Sequence, residues 1–270
     1  MTVKDWCQLT WVEFSDYVNS GKYRVVAILP VGSIEQHGPH LPLGTDYLIT
    51  NRVCELVVER VSKLRSDIIP LKLPPITYGL SNMWEAYGGT ISLNTEAFTK
   101  FISNVLSEIL RNGIERILVV NGHAGNDDAL RVTSRDVVES LGKGFIVITN
   151  LWHIVGDVIN ELFKTKFFHA DEVETSLALA LNLDVRLSSI KSSKFPTALR
   201  TRQYDEFWHS LDLTKRPKAY FYKPESSLKE GLGAFGRPNL ASKEKGLRLL
   251  DELVKRLSDL VMLIADSKLR

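Results

Sequence analysis

The chain has 270 residues, 44% hydrophobic and 24% charged, which is enough to bury a sizeable core. Lys plus Arg number 34 and Asp plus Glu 32, a net charge of +2 that excludes a protein held to nucleic acid or a membrane surface by bulk charge. Its 2 cysteines, Cys7 and Cys54, form no CxxC pair, and the sequence has neither a signal-peptide pattern nor an apolar run of ~20 residues, so a reduced, cytoplasmic, non-membrane protein is expected.

In chain order, Arg24–Val31 reads as a buried strand. Residues 46–64 follow as an amphipathic helix, with Leu48, Ile49, Val53, Leu56, Val57 and Val61 at helical spacing. Residues 67–73 are a second strand. Thr95–Arg111 repeats the helical spacing with Phe98, Phe101, Ile102, Val105 and Ile109, capped by Asn94 or Thr95. Residues 115–121 and 145–149 are the third and fourth strands. Residues 174–183 read as a short helix. Residues 187–240, rich in Ser, Lys, Pro and Gly, read as long loops or lids. Residues 241–268 close the chain as a helix with Leu247, Leu250, Leu253, Val254 and Leu257 on one face. Near-continuous apolar strands alternating with helices predict βαβ units and a parallel sheet covered on both faces. One domain over residues 1–270 is the simplest division.

The densest polar cluster follows the first strand, residues 32–46, GSIEQHGPHLPLGTD. Open α/β sheets place their sites in loops after the carboxyl ends of parallel strands. Glu35 and His37 are two apart, so on an extended segment they point the same way. Asp46 stands at the start of the next helix, either as its N-cap or as a donor grouped with Glu35 and His37. The third strand ends in NGHAGN, residues 121–126, where small neighbours of His123 let the backbone approach a bound group. A phosphate-binding turn is the lesser reading there, because the GxGxxG spacing is absent. The third cluster is HADEVETS, residues 169–176. Its carboxylates either suit a helix N-terminus or, with His169 five residues before Glu174, present an imidazole and a carboxylate to one cavity. The combined O and N donors suit Zn2+, Mn2+ or Fe2+. A carboxylate bridging two such ions would make a dinuclear centre that acidifies water and polarises a carbonyl.

Residues 29–46, 89–93 (GTISL), 121–126, 169–176 and 241–246 (ASKEKG), in this order and spacing, resemble the creatininase family from about Leu9 to the final helix. The resemblance implies a single-domain α/β protein, a three-layer α/β/α sandwich with a mainly parallel central sheet, assembled as a homohexamer. It implies two divalent metal ions per subunit and hydrolysis of a C–N amide bond in a small molecule. By position, Glu35, His37, Asp46 and His123 correspond to metal ligands, Asp46 being the bridging one. Glu174 is the candidate fifth ligand, with Glu172 its competitor. His169 matches a catalytic histidine near the substrate.

Two departures stand out. Creatininases proper carry a Glu two residues after the His of the NGH turn, where this chain has Gly125. They also carry a Trp-Asp pair shortly before the catalytic His, where this chain has Thr165 and Lys166; Trp152 is the alternative pocket aromatic. Both departures argue against creatinine as substrate and toward the family's formamidopyrimidine deformylase and mycofactocin-peptide hydrolase branches. Lys166 and Arg237 would suit an anionic substrate. The expectation is an amidohydrolase of a formamide or cyclic amide, a homo-oligomer with no nucleic-acid or membrane partner. The alternatives are a creatinine amidohydrolase, a dinuclear phosphoesterase and a metal-holding scaffold without turnover. The lack of clustered Arg and Lys in the motifs disfavours the phosphoesterase.

Overall fold

A computed structural model describes residues 5–190, 212–215, 218–220 and 232–268. The first helix, α1 (Trp11–Asn19), starts at a reciprocal cap in which Thr10 accepts from Glu13 N–H while the Glu13 carboxylate accepts from Thr10 N–H. Then follow β1 (Arg24–Val31), α2 (Thr45–Leu64), β2 (Ile68–Lys72), α3 (Thr95–Arg111), β3 (Arg116–Asn121), α4 (Asp127–Leu141) and β4 (Phe145–Asn150). Two short helices, α5 (Leu151–Ile154) and α6 (Gly156–Leu162), lead to α7 (Glu172–Ala180), and α8 (Lys243–Asp266) is the last. No helix of the described residues is long and apolar enough to cross a membrane.

The four strands pair in parallel in the order β2-β1-β3-β4, with Ala27 opposite Ile117 and Leu118 opposite Val147. Strand alternation sends Val26 and Ile28 of β1 and Leu118 and Val120 of β3 to one face. There they pack with α2, α5, α6, α7 and α8. Ala27, Leu29 and Val31 of β1 and Ile117 and Val119 of β3 go to the other face, against α3, α4 and the inner side of α1. The result is a three-layer sandwich, and each fully buried Ile, Leu or Val contributes about 1.5–3 kcal/mol.

The sequence-predicted strands and the helix over Thr95–Arg111 are present, and the helix expected from residue 46 begins one residue earlier. The helix read over 174–183 begins at Glu172 and ends at Ala180. The final helix begins at Lys243, N-capped by Ser242. Of the stretch read as loops or lids, the described parts hold short 3-10 turns at Leu187–Ser189 and Pro238–Leu240; the rest lies outside the described residues.

This topology fixes where a site can form. From β1 the chain steps outward to β2, then returns across β1 to β3 and β4. The strand order therefore reverses between β1 and β3, and their carboxyl ends splay two loops apart into a crevice. The loop after Val31 and the turn after Asn121 meet there, joined by Gly122 N–H donating to Val31 O at 2.9 Å.

Candidate metal centre

Glu35, His37, Asp46, His123, His169 and Glu174 all converge in this crevice, and all are buried. Asp46 lies in the first turn of α2, whose N-cap position is Gly44 with no side-chain cap. The capping role is therefore not the one Asp46 fills. Its Oδ1 is 3.1 Å from His37 Nε2, and its Oδ2 is 3.1 Å from His123 Nδ1. Glu174 Oε2 lies 3.8 Å from the same His37 nitrogen, and Glu35 Oε1 lies 3.4 Å from the same His123 nitrogen. Two donor triads share Asp46: Glu35–Asp46–His123 and His37–Asp46–Glu174.

The tautomers decide what these contacts mean. His123 Nε2 is 2.9 Å from Leu80 O, and a carbonyl only accepts, so Nε2 carries a proton and Nδ1 is the nitrogen turned to the crevice. His37 Nδ1 likewise donates to Glu35 O at 3.1 Å, leaving Nε2 turned to the crevice. Each inward nitrogen thus faces two carboxylates, an arrangement that a proton or a metal ion between them stabilises. Glu35 Oε2 and Asp46 Oδ2 are buried without a hydrogen-bond partner. Two donors each about 2.1 Å from one ion at a tetrahedral angle lie about 3.4 Å apart, which the spacings above bracket. The donor set fits divalent cations. The backbone carbonyls on the far ring nitrogens are the partners that orient metal-ligating histidines.

Without an ion, protons take that place. Burial opposes charge on His37, but Asp46, Glu174 and Glu35 outweigh it and raise its pKa to about 10. Burial likewise opposes charge on His123, and Glu35 and Asp46 prevail, holding it well above the ordinary imidazole value. Burial, Asp46 and Asp171 push Glu174 up to about 8 against the pull of His37. His169 goes the other way. Burial and the neighbouring His37 hold it well below the usual imidazole value, so it is neutral at pH 7.

His169 Nε2 donates to Gln36 O at 2.7 Å, so its Nδ1 faces inward, 3.7 Å from Glu35 Oε1. The ring is held between the His37 imidazole, 4.4 Å away, and the Trp84 indole, stacked at 4.1 Å and 16°. Phe168 and Phe235 back the indole. Trp84 is the indole that stacks on the centre. Trp152, the expected candidate, is a core residue whose indole N–H donates to Gly122 O and whose ring packs on Phe167. Sequence reasoning misses Trp84 because it sits in an irregular stretch; a bulky aromatic just upstream of residues 89–93 is the available signal.

The other motifs brace the centre. Thr90 Oγ1 accepts from Gln36 N–H, and Ile91 N–H donates to Ile34 O, so residues 89–93 back the β1–α2 loop. Asn126 ties Gly32 O to Leu80 N–H, fixing the carbonyl that holds His123. Asp171 N-caps α7, accepting from Val173 and Glu174 N–H, and this sets the helix that carries Glu174. Glu172 turns to Lys245 Nζ at 2.5 Å and lies outside both triads.

Comparison with known proteins shows the family. The creatininase family, described as creatinine amidohydrolase, matches residues 7–261. The chain belongs to the creatininase family. It is 28% identical to creatinine amidohydrolase of Pseudomonas putida over 94% of either chain. It is 31% identical to the mycofactocin precursor peptide peptidase of Mycobacterium ulcerans, covering 84% of this chain and 80% of the relative. A crystal structure of creatinine amidohydrolase superposes with a TM-score of 0.79 at 26% identity, covering 99% of this chain and all of the other. A manganese form of creatininase superposes with a TM-score of 0.78 at 25% identity, covering 98% of this chain and all of the other. As a creatininase-family hydrolase the chain is metal-dependent. A Cβ at Gly125 would run into Leu80 O and His123 Nε2, the two atoms of the bond that holds the His123 ring.

Proposed function

We propose that this chain hydrolyses a C–N amide bond in a small molecule, using two divalent cations. Glu35, Asp46 and His123 would hold one, and His37, Asp46 and Glu174 the other. The observation that carries this reading is the convergence on Asp46 of two imidazole nitrogens, one facing each of its oxygens, in a buried crevice. Bound there, such cations acidify a water and polarise the scissile carbonyl. His169 takes up a proton at Nδ1 and returns it to the leaving nitrogen, because its Nε2–H is committed to Gln36 O. With its lone pairs engaged, Glu174 is the poorer base.

A formamide or strained cyclic amide fits better than creatinine. No carboxylate stands at Gly125, and Thr165 and Lys166 supply neither an indole to stack on the flat creatinine ring nor a carboxylate to pair with its guanidine-like nitrogens. Arg237 is exposed next to Gly236, where the segments carrying His169 and Phe235 abut, which favours an anionic group such as a ribosyl phosphate. A short peptide is a second reading, supported by the mycobacterial relative's name.

The test has two parts. Elemental analysis of Zn2+- or Mn2+-loaded protein should give two ions per chain, none in Asp46→Ala and about one in His123→Ala; unchanged retention in Asp46→Ala would remove the bridge. A panel of creatinine, a formamidopyrimidine nucleotide, its unphosphorylated form and a short peptide should then give the fastest turnover on the nucleotide. Efficient creatinine turnover would overturn the substrate assignment. Equal rates with and without phosphate would remove only the anionic part, and cleavage of the peptide alone would select the second reading.

A further inference from the structure

His40 is fully buried and belongs to neither donor triad. Its Nε2 is hydrogen-bonded to Thr175 Oγ1 at 2.9 Å, and its Nδ1 has no hydrogen-bond partner. Burying an imidazole with one ring nitrogen unused is costly, and an apolar side chain would fill the same space without that cost. The place of His40 is therefore explained by what its Nε2 holds. Its backbone is fixed as well, His40 O accepting from Arg186 N–H at 2.9 Å.

The two triads differ in how they are supported. Glu35, Asp46 and His123 stand on the loop after β1, the first turn of α2 and the turn after β3, joined directly by the backbone at Gly122 and by the Asn126 side chain. The other triad takes Glu174 from α7, which is distant in sequence and packs closely on α8, where Gly246 leaves room for Ser176 O. The His37–Glu174 spacing depends on α7 keeping its place against the β1–α2 loop. The His40–Thr175 bond joins those two elements one residue from Glu174 and three from His37.

We propose that His40 is a positioning residue that sets the spacing of the His37–Asp46–Glu174 half-site by holding α7 to the loop through Thr175. This rests on the two-ion reading above. The test is binding of Zn2+ by titration calorimetry and of Co2+ by visible absorption to the intact chain, with thermal melting as a check on folding. Wild type should bind two ions. His40→Ala and Thr175→Val should each keep one ion at near wild-type affinity and bind the second about 10–100-fold more weakly, the range for lost outer-shell partners. Thr175→Ser should restore it, and the double variant should be no worse than either single one, because both remove one contact. If His40→Ala does not fold, the two Thr175 variants carry the test. Wild type binding fewer than two ions would overturn the two-ion reading and this one with it. Two ions in wild type with unchanged affinities in Thr175→Val, or equal weakening of both ions, would overturn the role of His40 alone.

Discussion

At the scale of single residues, the centre is a contest between protons and cations for the same lone pairs. His37 and His123 have raised values in the metal-free chain, so at pH 7 both hold protons that an incoming ion must displace. Ion uptake at pH 7 is therefore expected to release about two protons from the imidazoles and a further fraction from Glu174. The sign follows directly: because the raised groups keep their protons, affinity climbs as pH rises toward about 10, the His37 value, and falls as pH drops. Calorimetry in buffers of different ionisation enthalpy measures the release, and none at pH 7 would contradict the protonated apo state. His169 is distinct. Its Nδ1 faces the crevice while Nε2 is held by Gln36 O, a position that suits proton transfer rather than structure. His169→Ala is expected to lower kcat on the turned-over substrate by about 10² while leaving metal content nearly unchanged; loss of metal would make it a ligand instead. The Glu, His and Asp identities were legible because few roles put those types together beside Gly and Pro. Trp84 was not, since one aromatic in an irregular loop carries no period.

At the scale of elements, spacing predicted helices well and their buried faces less well. Phe101 and Leu247 keep the expected period but are 48% and 49% exposed. The buried stripe of α8 runs instead through Leu249, Leu250, Leu253, Leu257, Val261 and Ile264. The helix α4 escaped the reading because Thr133 and Ser134 occupy buried positions of its inner face, interrupting the apolar pattern; its C-cap Gly142, with φ of 63°, was the surviving signal. The motif at residues 241–246 has a structural meaning that spacing could not supply. Ser242 caps α8, Lys245 pairs with Glu172, and Gly246 admits the α7 backbone. Gly to Ala inside a helix ordinarily stabilises by about 1 kcal/mol. Gly246→Ala is expected to do the reverse, destabilising by about 1–3 kcal/mol because the new methyl meets Ser176 O. Urea unfolding checks the sign, and a more stable variant would mean that the helices separate freely.

At the scale of the whole molecule, ions bound at the candidate centre would stabilise the fold that assembles it. The crevice gathers the buried Glu35, Asp46 and Glu174, whose charge is offset by protons on His37 and His123 in the metal-free chain and would be offset by metal ions in their place. Ions that bind the folded chain and not the unfolded one stabilise it by about 2.7 kcal/mol when free ion exceeds Kd a hundredfold. Chelation is therefore expected to lower Tm by several degrees, with recovery on adding Zn2+ or Mn2+; an unchanged Tm would mean that the centre does not couple to folding. The sequence by itself determined the four strands, the longest helices and the residue types of the centre, because apolar period and ligand chemistry are local properties. It also brought Glu35, His37 and Asp46 together, since they lie on one loop and the first turn of the helix that follows it. Only the tertiary structure decided which nitrogen of each histidine faces the crevice, that Glu174 rather than Glu172 does so, and that Asp46 lies between two triads. Those outcomes depend on a strand order that reverses between β1 and β3 and on α7 packing against α8. Both are set by contacts between residues far apart in the chain, which no local pattern records.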